Sequence, residues 1–316
     1  MKKRYWQPIA KAFIILCSVL AYGYIIRKLV NFEHWHTLST SFKLSGSTIV
    51  IIFLLVLLWF MNLSFEAKKW QVLMQAFIRL RFKDAWCQIM AGTTTAVGSP
   101  ARIAEMGGRM ALLPKQQRLN AAIMTSIGGI FQNLVIISAG VISLVFSPDV
   151  SKLLKLPLEL GELVLFLLGI SGLITLGLRI VFPQKFRYYF RIFVSTKRII
   201  VLKSLFWTCL RYLTYITQLY FWLNLWGLNS GISEYLALAS TYFFMITIIP
   251  SHILVDMGIR GSIAIFLFTP FFTSSPLILA ATFCLWLSNV IIPTLLGSYI
   301  LVQQKLLKQL VKQKET

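Results

Sequence analysis

Six stretches of this 316-residue chain, near 9–26, 47–65, 119–146, 160–182, 204–226 and 277–303, are apolar almost without interruption. Each is long enough to cross about 30 Å of hydrocarbon as a helix, and a helix is the one open-ended structure that satisfies its own backbone in lipid. A soluble domain carries about a quarter charged residues, whereas this chain has 13% charged against 57% hydrophobic. The fold expected is therefore an all-α polytopic membrane protein, a single integral domain over residues 1–316. The net charge of +21 would point to nucleic acid if the basic residues formed one stripe with interleaved aromatics. They cluster between the apolar runs instead, so nucleic acid is excluded as a partner. Cys17, Cys87, Cys209 and Cys284 stand singly in apolar stretches, without CxxC spacing, and call for no metal or cofactor. His34 and His36 form an isolated HxH beside Glu33, too few ligands for a metal. The start, Met1 to Arg4 before the first apolar run, resembles a signal peptide without a small-x-small cleavage site and reads as a retained anchor.

Basic residues orient the spans, because cytoplasmic flanks collect Lys and Arg. Lys2, Lys3, Arg4 and Lys11, then Lys68, Lys69, Arg79, Arg81 and Lys83, then Lys115 and Arg118, then the loop from Lys185 to Lys203, then the tail from Lys305 to Lys314 hold most of them. Both termini are thus expected in the cytoplasm of a bacterial inner membrane, with anionic lipid gathered at the basic loops. Two further apolar regions, 86–112 and 234–269, are each broken midway by Pro, Gly and charge. The bias closes on every loop only if the first enters from and returns to the cytoplasm and the second does the same from outside. The expectation is six full spans plus two opposed re-entrant helical hairpins.

The two broken regions resemble each other. One reads Pro100-Ala-Arg102-Ile-Ala-Glu105-Met-Gly-Gly-Arg109 and the other Pro250-Ser-His252-Ile-Leu-Val-Asp256-Met-Gly258-Ile-Arg260. With opposite direction across the membrane, they imply an inverted repeat, approximately 47–146 against 204–303, an architecture that secondary transporters use to hold substrate near the midplane. Pro100 and Pro250 suit a turn followed by a helix start, and half-helices beginning at Ala101 and Ser251 would aim positive dipole ends inward. Arg102, Glu105 and Arg109 share a helix face, as do Asp256 and Arg260.

Two readings of these charges stand. In one, Arg102, Glu105, Arg109, His252, Asp256 and Arg260 line a crevice that binds a phosphate-bearing head group, with Pro100, Pro250 and Gly258 shaping the hairpin tips. In the other, Glu105–Arg109 and Asp256–Arg260 merely neutralise each other at membrane depth. Arg211 reads as snorkelling to the cytoplasmic interface ahead of touching substrate. The Thr93 to Thr95 run should bond its own helix, and Trp6, Trp35, Trp70, Trp86 and Trp226 fit an interfacial belt.

Asn62 to Trp70 (NLSFEAKKW), Pro100 to Arg109 and Pro250 to Arg260 together resemble the flippase-like integral membrane domain of the lysylphosphatidylglycerol synthetase family, over about residues 10–305. The match carries Pro100, Arg102, Glu105, Arg109, Pro250, Gly258 and Arg260, and departs from the family pattern in placing Asp256 before Arg260 and Gly261 after it. Membership would imply movement of a modified phospholipid, or a similar amphiphile, from inner to outer leaflet. The aminoacyl-transferring domain of the bifunctional synthetases has no counterpart here, so the resemblance implies a transporter rather than an enzyme. An integral membrane enzyme acting on lipid would want paired interfacial carboxylates, and Asp84, Asp149, Glu159 and Glu162 are scattered. An ion-coupled solute transporter is the remaining alternative.

Overall fold

The computed structural model describes residues 45–97, 99, 104–154, 197–249, 253–272 and 274–314, giving backbone alone for 253–255 and 304–314. The expected spans at 9–26 and 160–182, the HxH pair, and Arg102, His252, Pro100 and Pro250 lie outside these residues. What is described is helical, with no strand: α1 Gly46–Met74, α2 Phe82–Val97, α3 Glu105–Ala111, α4 Arg118–Phe146, α5 Pro148–Leu153, α6 Arg198–Leu225, α7 Ile232–Ile248, α8 Ile253–Phe268, α9 Ser275–Trp286 and α10 Ile292–Lys314. Four stretches, Gly46–Met74, Lys115–Phe146, Arg198–Leu225 and Ser275–Gln303, are long and apolar enough to cross a membrane. They coincide with four of the expected spans.

Helix α1 begins at Ser45, whose hydroxyl accepts the Thr48 amide at 3.3 Å, meeting one of the unpaired donors of a helix start. Its N-terminal half then exposes Ile49, Val50, Phe53, Val56 and Phe60. In water such a patch would drive association, and against acyl chains it is the ordinary lipid-facing surface. The polar residues of α1 are held back for its other half, where it packs on α6. Phe65 meets Trp207 with ring centroids 5.7 Å apart, and Asn62 meets Arg211, so the two helices run antiparallel.

Helices α2 and α3 fold back on each other. Gly108 packs on the Ala91 carbonyl, where an added Cβ would stand 2.1 Å from the oxygen, and Gly92 packs on Glu105 and Arg109. Thr95 Oγ1 donates to the Ala104 carbonyl at 2.7 Å and accepts the Gly108 amide at 3.1 Å. The threonine run therefore does more than bond its own helix: it stitches the two arms. Leu112, Leu113 and Pro114 then share a pocket of about 310 Å³ with Leu80, Arg81, Lys83 and Asp84, so the chain leaves α3 beside the start of α2.

The long rods cross between the halves. Helix α4 lies antiparallel on α7, with Gly140 against Phe244 and Ser143 Oγ donating to the Ala237 carbonyl at 2.7 Å. In the same manner α10 lies antiparallel on α2, with Gly297 against the Met90 carbonyl and Thr94 Oγ1 donating to the Thr294 carbonyl at 2.9 Å. Helices α9 and α10 join through a π turn, Leu287–Ile291. Pro293 has no amide to donate into this stretch, and Trp59 Nε1 bonds the Ser288 carbonyl at 2.7 Å. One apolar core gathers Trp70, Met74, Ile89, Met124 and Phe131 of α1, α2 and α4. The other gathers Leu219, Leu238, Tyr242, Leu267, Phe268 and Ile278 of α6 to α9.

Candidate functional site

Asn62, Glu66 and Lys69 follow one another at four and three residues along α1, which stacks them on one face. That face is turned inward: the three are 1%, 3% and 2% exposed. Glu66 is the hub. Its Oε2 pairs with Lys69 Nζ at 2.6 Å and with Arg211 Nη1 at 2.9 Å, while its Oε1 accepts from Arg109 Nη2 at 2.8 Å. The same Arg109 nitrogen also pairs with Glu105 one turn back on α3. Arg211, from α6, donates from Nε to Asn62 Oδ1 and from Nη1 to Gln132 Oε1 of α4, each at 3.1 Å. Three helices thus converge on one carboxylate, and α4 joins them through Arg211.

Aromatic rings shape the guanidinium planes. Arg109 lies over the Trp70 ring at 5.0 Å, and Trp70 is fixed by donating Nε1 to Gln88 Oε1 at 2.7 Å. Arg211 lies over Tyr215 at 5.4 Å. Such contacts favour a cation that has lost its water. Among the described residues the cluster holds three cations against two carboxylates, at a depth where an unbalanced charge is costly. Arg109 Nε and Asn62 Nδ2 are buried and have no acceptor among the described residues, each costing about 1–3 kcal/mol.

A smaller cluster repeats the theme on α8. Asp256 Oδ2 accepts from Arg260 Nε at 2.8 Å and from Trp286 Nε1 at 3.0 Å, and the Tyr242 hydroxyl lies within electrostatic reach of Arg260. Tyr215, the ring beneath Arg211, is within electrostatic reach of Arg260 as well, so α6 stands between the two clusters.

Several expectations need correcting. Arg211 does not snorkel: its guanidinium is spent on Glu66, Asn62 and Gln132, because a buried carboxylate outbids the interface. Lys69 is turned inward as a partner of Glu66, whereas Lys68 turns over the Phe82 ring at 5.0 Å. Trp70 is fully buried and supports Arg109 rather than sitting in a belt. Helix α3 is described over Glu105–Ala111, with Glu105 in its first turn, and the start expected at Ala101 lies outside the described residues. Asp256 likewise occupies the first turn of α8. Gly258 lies inside α8, not at a tip, with open space where a Cβ would go. The expected pairs Glu105–Arg109 and Asp256–Arg260 are both formed. Sequence reading passed over Asn62, Glu66, Gln132 and Arg211 as site residues. The available signal was the polar stack Asn62-Glu66-Lys69 within an otherwise apolar run.

Together these elements define a helical membrane protein whose long helices enclose an ionic cluster. No protein-family model matches the chain, and a search of curated proteins finds no significant relative.

Proposed function

We propose that this chain is a lipid translocator, carrying a phospholipid or related phosphate-bearing amphiphile between the leaflets of a bacterial cytoplasmic membrane. In this reading α2–α3 and α7–α8 are re-entrant hairpins entering from opposite faces, the halves are inverted repeats, and both termini are cytoplasmic. The carrying observation is the Glu66 cluster: five ionised side chains drawn from three helices, where apolar packing would be cheaper. Ionic groups at such depth mark pathways as well as pairs. Helix α3, at seven residues, spans roughly 10 Å and cannot cross a bilayer, which favours a hairpin. The antiparallel crossings of α4 on α7 and α10 on α2 suit two halves of opposite orientation.

Transport in this reading needs no bond to be made or broken. The head group enters the crevice, exchanges hydration for the guanidinium groups, and leaves on the other side while the acyl chains stay in lipid. Anionic lipid held at the cytoplasmic basic segments would supply the inner leaflet locally.

The test is leaflet-resolved flipping in proteoliposomes. Glu105→Gln and Arg109→Ala should abolish translocation with protein level and helicity retained. Loss of folded protein in both, with unchanged activity per folded molecule, would assign the pair to structure alone. Equal transport of a neutral diacyl glycolipid and its phosphate-bearing counterpart would remove phosphate recognition from the reading.

A further inference from the structure

Arg109 is 4% exposed and Asn62 1%, yet Arg109 Nε and Asn62 Nδ2 meet no acceptor among the described residues. Both orientations are fixed by their other bonds. Asn62 Oδ1 takes Arg211 Nε, which turns the amide nitrogen away from that guanidinium. Arg109 gives one terminal nitrogen to both Glu66 and Glu105, which leaves Nε over. The two idle donors therefore sit on side chains tied to the same Glu66–Arg211 pair, within a cluster that among the described residues holds three cations against two carboxylates.

We propose that Asn62, Arg109 and Arg211 form an oxyanion subsite for a phosphate ester, whose oxygens accept from Asn62 Nδ2 and Arg109 Nε. A tetrahedral oxyanion offers several acceptors to donors on different helices and supplies the missing charge. Access lies on the Arg211 and Glu105 side, where the side chains are 16% and 17% exposed against 3–5% for Lys69, Glu66 and Arg109. The helix starts are unsuited to the same task, since Glu105 and Asp256 already complement them. This subsite rests on the translocator reading only for the lipid origin of the phosphate. The test reads binding, so the two can fail separately.

The full chain, purified in neutral detergent, is followed by thermal unfolding with inorganic phosphate, dihexanoyl phosphatidylglycerol or dihexanoylglycerol. The two phosphate-bearing probes should raise the melting temperature and the neutral one should not. A response to phosphatidylglycerol alone assigns the subsite to a lipid head group, and a response to both assigns it to phosphate from either source. Asn62→Asp should raise the ligand-free melting temperature, because it supplies the absent charge beside Arg211, and should lose the probe response. Asn62→Leu, which removes one donor, should weaken binding roughly tenfold, and Ser233→Ala at an exposed, uncharged position should change nothing. No shift in the unaltered protein, or a shift that survives in Asn62→Asp, overturns the subsite. Binding without flipping leaves the subsite and sinks the translocator, and flipping without phosphate binding does the reverse.

Discussion

Glu66 and Lys69 form an ion pair one turn apart, yet their removal should have unequal consequences. Lys69 pairs with Glu66, while Glu66 also holds Arg109 and Arg211. Glu66→Gln leaves three cations facing one another in a poorly solvated site, and breaking a buried pair in this way costs about 3–5 kcal/mol. Lys69→Met removes one cation from a cluster that has one too many, and its long apolar side chain fills the same channel beside Gly128, whose added Cβ would lie 3.7 Å from Lys69 Cε. Thermal unfolding of purified protein should therefore show a large loss for Glu66→Gln and a small change for Lys69→Met; the opposite order would mean that Lys69 is the hub. The charge pairs Glu105–Arg109 and Asp256–Arg260 were legible in the sequence because their spacing is local. Arg211 was not, because its partners Asn62, Glu66 and Gln132 come from two other helices and only packing brings them within reach.

At the scale of elements, glycine placement separates contacts that sequence alone cannot rank. Gly107 and Gly108 are neighbours in a short helix, and the first faces open space while the second rests on the Ala91 backbone and Thr95 Oγ1. Gly107→Ala should be neutral or stabilising by up to about 1 kcal/mol, the helix-propensity gain. Gly108→Ala forces α3 away from α2 and should sharply lower both melting temperature and yield. Comparing the two alanine variants by fluorescence-detected thermal stability checks this directly, and equal behaviour would show that the arms are not closely packed. The long apolar rods, and the ends of α2 at Val97 and of α7 at Ile248, were legible from hydropathy and Pro/Gly punctuation. The π turn at Leu287–Ile291 was not, although Pro293 hinted at it, because its form depends on Trp59 arriving from α1 to bond the Ser288 carbonyl.

For the whole molecule, the opposed-hairpin topology predicts where inserted cysteines are reached. On a Cys-less background, Asn229→Cys and Ser274→Cys, one on each flank of α7–α8, should label with impermeant reagent from the same outer side. Labelling from opposite sides would make that segment a full crossing and end the inverted-repeat reading. The four long apolar helices were legible from hydropathy, whereas the opposed arrangement is an expectation from the basic residues between the apolar runs, of which Lys69 is spent on Glu66. The exchange of long helices between halves could not be read, because it depends on Gly140 and Gly297 meeting surfaces roughly a hundred and two hundred residues away in the chain. That exchange also bears on biogenesis. Helix α2 is covered by α10, which is made some two hundred residues later, so its Met90–Thr94 face must wait uncovered until α10 arrives. A chain stalled before Ile292 keeps that face open to lipid and to quality-control proteases, and the N-terminal half cannot ripen by itself; the arrival of α10 is the event that seals α2.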